Sequence, residues 1–372
     1  MNRYFYYSVM LASMMNILFY IPKFLIHQRY TGAVSSLLVG GAAGSLLAFL
    51  FLNAIQRFPG KGLPEILETV HNKPVSRFFS FIFGLHWFCA ALLPLVDYAY
   101  VLNRFLNPDA TPIAILILLA LVCTYAASRS LLTVALLMEL GLILNAPIAI
   151  FIMAKALTSD TFNWDAVRTV ANYVTVAPNY AAIAAASYTF IGYMHMCIFN
   201  RLFPPNFRYR FYIWLIPMIG FAFLLVSFFV PIAFHGTETV AAYMYVWTVT
   251  ADSMVMSYGF IERVLFLFLF VFLNLSLIHS MSVWHQSMEF FKSAFWKKKP
   301  QVDSPETPVA NYVICGVFLA ITIVFMILTD ERDTFILTLQ WVKFRFVLEI
   351  VLVLWIFVIS RKGREKHAAR SS

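Results

Sequence analysis

Apolar stretches about twenty residues long recur along this chain, separated by short connections that hold most of the charged positions. At a rise of about 1.5 Å per residue, a helix of that length crosses the roughly 30 Å hydrocarbon core of a bilayer. Ten stretches fit: Tyr6–Leu25, Ser35–Asn53, Phe78–Leu102, Ile113–Ala127, Leu131–Ala154, Ala181–Phe203, Phe211–Phe234, Phe260–Ser280, Val309–Thr329 and Phe335–Ser360. The fourth is short, and the third and tenth are long enough to tilt or project. The first has no small-x-small cleavage site and reads as a retained helix. The pattern predicts an all-α polytopic membrane protein with ten transmembrane helices. A single transmembrane domain covers 1–360, and a basic tail, 361–372, follows it. Thr158–Asn179 and His235–Tyr258 are the longest connections of the outer side, large enough for a lid. Lys297–Pro308 is a polar linker.

Composition agrees. With 61% hydrophobic and 12% charged residues and a mean hydropathy of +0.79, a soluble fold of this length could not hide its apolar surface. A net charge of +9 raises the question of nucleic acid, but the basic residues sit in short loops and in the tail Arg361, Lys362, Arg364, Lys366 and Arg370. Placing the N-terminus inside puts about two thirds of the 27 Lys and Arg on the cytoplasmic side, loop after loop, and no nucleic-acid face is formed. Both termini are then cytoplasmic. Ten spans divide into halves of five, about 4–156 and 178–360, and an odd number inverts the second half, as in inverted-repeat transporters. Cys89, Cys123, Cys197 and Cys315 lie far apart in apolar runs, so neither a disulfide framework nor a metal site is expected. No cofactor is expected.

Polar groups inside the runs are the candidates for chemistry. Charge near the bilayer centre needs a partner, water or a proton. Asp97 follows Pro94, whose ring frees the carbonyl of Ala90, and is a candidate ligand contact or proton site; the alternative puts it at the outer interface. Glu139, near mid-membrane, is a proton site or a hydrogen-bonding structural group. Arg345 and Glu349, spaced i,i+4, read as a structural ion pair. His86 and His195 read as packing groups. Two places look like breaks. In the first run the amide of Asn16, between Met15 and Ile17, precedes Pro22. In the sixth, the small residues Ala181–Ala186 lead into Ser187, Thr189, Phe190, Gly192 and Tyr193. Unwound backbone there would offer N–H groups to a carboxylate and carbonyls to an ammonium.

Ile17-Leu18-Phe19-Tyr20-Ile21-Pro22 ends the first run. Arg57-Phe58-Pro59-Gly60 and Leu63-Pro64-Glu65-Ile66-Leu67 follow the second, and Phe105-Leu106-Asn107-Pro108 with Thr111-Pro112 the third. Phe260-Ile261-Glu262-Arg263 opens the eighth. In this order and spacing, from about Ser8 to the ninth run, the chain resembles the B subunit of bacterial spore germinant receptors. These form a permease-like family in the amino acid–polyamine–organocation superfamily. The resemblance implies a ten-helix inverted-repeat fold with a ligand held where helices one and six break, at Met15, Asn16, Asp97, Tyr98, Thr189, Gly192 and Tyr193. It also implies a larger A-type membrane subunit and a C-type lipoprotein subunit as partners, and the spore inner membrane as the location. The chain departs from the family at Met15, where a glycine is usual, and at Tyr193, where an acid usually follows the glycine.

The leading expectation is a sensor in which an amino acid or similar small germinant shifts a conformational equilibrium through its difference in affinity between two states. A secondary amino acid transporter is the alternative. A subunit without a pocket would serve assembly only. No HExxH, GxSxG or paired-acid metal motif supports an enzyme.

Overall fold

The computed structural model describes residues 3–18, 20–204, 206–209, 213–255, 262–296, 302–304 and 306–371, without the side chains of 3, 16–18 and 362–371. The first apolar run forms α1 (Arg3–Leu18) and α2 (Ile21–His27). Pro22 has no N–H to offer the carbonyl of Leu18, so the helical ladder is cut there. The interruption thus follows Met15 and Asn16 by a turn. Phe19 and the side chains of Asn16 and Ile17 lie outside the described residues.

Helix α3 (Ala33–Ile55) starts after Gly32, at φ +95°, where an added Cβ would stand 2.1 Å from the Ala177 carbonyl oxygen. In α4 (Leu63–Val70) the Glu65 carboxylate accepts the Gly62 N–H at 2.7 Å. Asn72, Thr111 and Ser130 cap α5 (Lys73–Phe105), α6 (Pro112–Ala127) and α7 (Leu131–Leu157) through their side-chain oxygens. The first long loop carries α8 (Trp164–Ala171).

The sixth run is α9 (Tyr180–Ser187), a 3-10 stretch Tyr188–His195, α10 (Met196–Phe199) and a last 3-10 turn Asn200–Leu202. It tightens at Tyr188 where the sequence pointed to unwinding. Next come α11 (Leu215–His235), α12 (Val246–Asp252) in the second long loop, α13 (Val264–Phe295), α14 (Val309–Leu328) and α15 (Glu331–Ser371).

Among the described residues seven helical segments are long and apolar enough to cross a membrane: α3, α5, α7, Tyr180–Leu202, α11, α13 and α14. Helix α6 is apolar but has only 16 residues, and α15 carries Lys343, Arg345 and Glu349 within its apolar part. The only β pairing among the described residues is an isolated bridge between Val255 and Arg263.

The sixth segment is the centre of the bundle, 89% buried across its span. Helices α5 and α13 run side by side beyond it, tied by Tyr98 to the Leu269 carbonyl (3.1 Å) and Ser287 to the Gly84 carbonyl (2.7 Å). On the opposite flank α3 turns Gly40, Gly41 and Gly44 toward α9 and the Phe190 ring, the close approach that small residues permit between membrane helices. Helix α1 lies on the 3-10 stretch so tightly that a Cβ on Gly192 would stand 2.5 Å from the Val9 Cα. Backbone has no cheap way to yield. Gly192→Ala should therefore lower stability by about 1–3 kcal/mol, read as a lower midpoint of thermal or SDS-induced unfolding in detergent. An unchanged midpoint would mean that α1 can give way.

Candidate functional site

The residues singled out from the sequence separate into distinct places. Ser187 and Tyr193 stand on the side of the sixth segment that faces α15. There the side chain of Arg345, fully buried, donates from Nη1 to Glu349 (2.6 Å) and from Nη2 to the Ala184 carbonyl (2.9 Å) and the Ser187 hydroxyl (2.7 Å). Tyr193 donates its hydroxyl to the other Glu349 oxygen. The pair is the i,i+4 pair read from the sequence, and its bonds also lock α15 onto the sixth segment.

Beside this pair is a cavity of about 50 Å³ between α5, the 3-10 stretch, α13 and α15. His86, Trp87, Tyr188, His195, His279, Trp341, Arg345 and Glu349 supply its polar and aromatic wall, and Ile191, Met194, Val283, Leu348 and Leu352 its apolar one. A water needs roughly 10–15 Å³ by this measure, so the space takes about three or four waters, or a handful of ligand atoms. His195 is no mere packing group: its Nδ1 meets Gln286 Nε2 at 2.7 Å, and the Gln286 Oε1 accepts the Trp87 indole N–H at 3.0 Å. His86 stacks on Trp341, with ring centroids 5.5 Å apart and planes at 19°.

The other candidates point elsewhere. Gly192 is against α1, and Phe190 packs on Phe221 with centroids 5.2 Å apart. The Thr189 carbonyl accepts the Ser13 hydroxyl at 3.1 Å. Met15 is buried in the core, and Tyr98 joins α5 to α13. Tyr7 donates to Glu139 at 3.5 Å, while the Asn145 amide donates to the Gly141 carbonyl at 2.7 Å.

Asp97, buried to 1% exposure, forms a second polar centre about two to three turns nearer the α5 C-terminus. The Tyr20 and Tyr245 hydroxyls hydrogen-bond to it, and they lie 3.4 Å from each other. Tyr20 directly follows the interruption of the first run, so Asp97 and that break do meet. Tyr245 belongs to the second long loop. Burial, reinforced by the Asp97 carboxylate, pushes its hydroxyl far above the ordinary tyrosine range, which keeps it a hydrogen-bond donor. At the neighbouring start of α15, Glu331 pairs with Arg104 at 2.7 Å.

A third polar centre was not legible in the sequence. Arg201, at the end of the sixth segment, donates to Glu289 of α13 (2.5 Å) and to both oxygens of Glu65 in α4 (2.6 and 3.1 Å); Lys292 also donates to Glu289 (2.6 Å). The neighbouring Asn200 amide donates to the Phe58 and Lys61 carbonyls at 2.8 and 2.7 Å, and accepts the Tyr209 hydroxyl at 2.8 Å. The segment Arg57–Leu67 is thus the seat on which the C-terminal end of the sixth segment rests.

The profile of the spore permease family, described as spore germination protein, matches residues 9–334. The chain belongs to the spore germination protein family. That bears out the resemblance read from its short motifs and makes it a membrane permease-like germination protein. Among curated protein sequences nothing matches it. Of solved structures, a Na+-coupled sialic acid symporter in a substrate-bound outward-open state is 13% identical, with a TM-score of 0.54 over 88% of this chain and 75% of that one. MhsT in complex with L-phenylalanine is 12% identical, with a TM-score of 0.47 over 97% and 98% of the two chains. The symporter shows the fold that this spore germination protein shares, a transporter-type bundle. Four cysteines are free, and the described residues contain no cluster of three metal-ligating side chains.

Proposed function

We propose that this spore germination protein is the ligand-binding membrane subunit of a germinant receptor. It would take an amino acid or similar small nutrient into the cavity between α5, the sixth segment, α13 and α15. The observation that carries the reading is the buried Arg345–Glu349 pair, which lines the cavity and is bonded to Ser187 and Tyr193 on the central segment. A ligand that alters that pair acts directly on the most buried element of the bundle. It can bias a two-state equilibrium only through its difference in affinity for the two states. The topology that goes with this reading has ten spans in two inverted halves, both termini cytoplasmic, in the spore inner membrane. An A-type membrane subunit and a C-type lipoprotein would receive the signal. Secondary transport of an amino acid is the second reading, favoured by the symporter-like fold.

Thermal-shift screening of the purified protein against the common amino acids tests the first statement. At least one should raise the unfolding midpoint, and the shift should disappear in Val283→Trp, which fills the cavity. No stabilising compound, or an unaltered shift in the variant, removes the cavity from the account. Uptake of the hit into liposomes then separates transporter from sensor.

A further inference from the structure

On the reading just given, we infer that the cavity recognises its ligand by a carboxylate, and that the α-amino group of an amino acid is dispensable for binding. Among the residues that line the cavity, five buried nitrogens have no hydrogen-bond partner: Trp341 Nε1, Arg345 Nε, His86 Nδ1 and both ring nitrogens of His279. A neutral imidazole donates from one nitrogen and accepts at the other, so Trp341 and Arg345 supply the nitrogens that can only donate. Indole and guanidinium nitrogens donate and cannot accept. An unpaired buried donor is costly, which makes this a wall waiting for an acceptor.

The cavity's carboxylate is spent. Glu349 is the one carboxylate among the described lining residues, and its two oxygens are engaged by Tyr193 and by Arg345 Nη1. Arg345 Nη2 is engaged as well, by Ala184 and Ser187, so Nε is the face of the guanidinium that remains. A carboxylate supplies two oxygens to two or three N–H groups and brings negative charge to a cation that Glu349 already balances in part. An ammonium would have to displace Tyr193 or Arg345 from Glu349.

Size narrows the class further. A cavity of about 50 Å³, with Ile191, Met194, Val283, Leu348 and Leu352 opposite the donors, suits a carboxylate on a short branched or linear aliphatic chain. Sugars and nucleosides exceed it.

Three matched series separate this inference from the reading it rests on: L-alanine, L-valine and L-leucine; propionate, isovalerate and 4-methylvalerate; and ethylamine, isobutylamine and isoamylamine. Binding to the full chain in detergent is measured by calorimetry at constant ionic strength. Within the best-fitting chain length, the amino acid and its carboxylate should bind within about tenfold of each other, and the amine should not bind. Trp341→Phe keeps the ring against His86 and deletes one donor. It should weaken the carboxylate about tenfold, as the loss of one hydrogen bond to a charged group does, without lowering the unfolding midpoint of the empty protein.

Amines that bind as well as the acids, or carboxylates that bind Trp341→Phe undiminished, would overturn the carboxylate inference and leave the cavity standing. If the amino acids bind and their carboxylates do not, the amino group is read after all and the inference fails on that point. Failure of all three series counts against the cavity itself.

Discussion

Arg345→Met should lower the unfolding free energy by about 3–5 kcal/mol, because it leaves Glu349 charged and 3% exposed with Tyr193 as its remaining partner. The same substitution also releases the Ala184 carbonyl and the Ser187 hydroxyl. Replacing both members, Arg345→Met with Glu349→Leu, should restore most of the loss or exceed the parent, since well-packed apolar pairs often match buried ion pairs. Neither variant should bind ligand. SDS-induced unfolding in mixed micelles reads the stabilities, and calorimetry the binding. A double variant that is both stable and binding-competent would show that the pair serves neither fold specificity nor recognition. One that is stable and silent assigns the pair to function, with stability its incidental cost.

Arg201→Met tests the polar centre at the C-terminal end of the sixth segment. It removes the cation that joins Glu65 in α4 to Glu289 in α13, but Lys292 continues to neutralise Glu289. The expected loss is about 3 kcal/mol, the lower end for a broken buried pair. Arg201→Lys should recover only part of it, because an ammonium keeps the charge but not the planar fork that spans two carboxylates. Limited proteolysis should show cleavage in the stretch before α4 rising in parallel, since Asn200 and Arg201 are what hold Phe58 to Glu65 in place. Unaltered stability and protection would mean that the Asn200 bonds suffice.

Much of the architecture was legible because it is written locally. Apolar runs announced the helices, whereas the caps Asn72, Thr111 and Ser130, which fix where α5, α6 and α7 begin, were not picked out from the sequence. The Arg345–Glu349 pair was legible because i,i+4 neighbours share a face. Where the reading slipped, the cause is equally physical. A proline cuts the ladder four residues upstream of itself, so Pro22 sets the interruption just beyond Leu18, although the polar amide of Asn16 drew attention first. Small residues and hydroxyls at Ser187–Gly192 signal a weak helix but cannot say whether it unwinds or tightens, and packing against Val9 and Ser8 decides that.

The candidate site was harder. His86, His195 and Trp341 come from three separate runs, and nothing in their spacing joins them; only the assembled bundle sets all three on one cavity with Arg345 and stacks His86 on Trp341. Glu289 and Lys292 did stand three apart, but beyond the eighth run as read from the sequence, and their partner Arg201 lies 88 positions from Glu289.

The tightened stretch Tyr188–His195 has a metric consequence. Eight residues wound as a 3-10 helix rise about 2.0 Å each, against about 1.5 Å in an α-helix, so the segment is about 4 Å longer than the same residues would be if relaxed. Its N-terminal part is bolted to α15 through Ala184 and Ser187, and its C-terminal end to α4 and α13 through Arg201. It is a stay rod held at extended length between two anchors. Releasing either bolt would let the rod shorten by most of a helical turn and draw its two ends together, and the separation of probes at Ala181 and Leu202 is the length that records it.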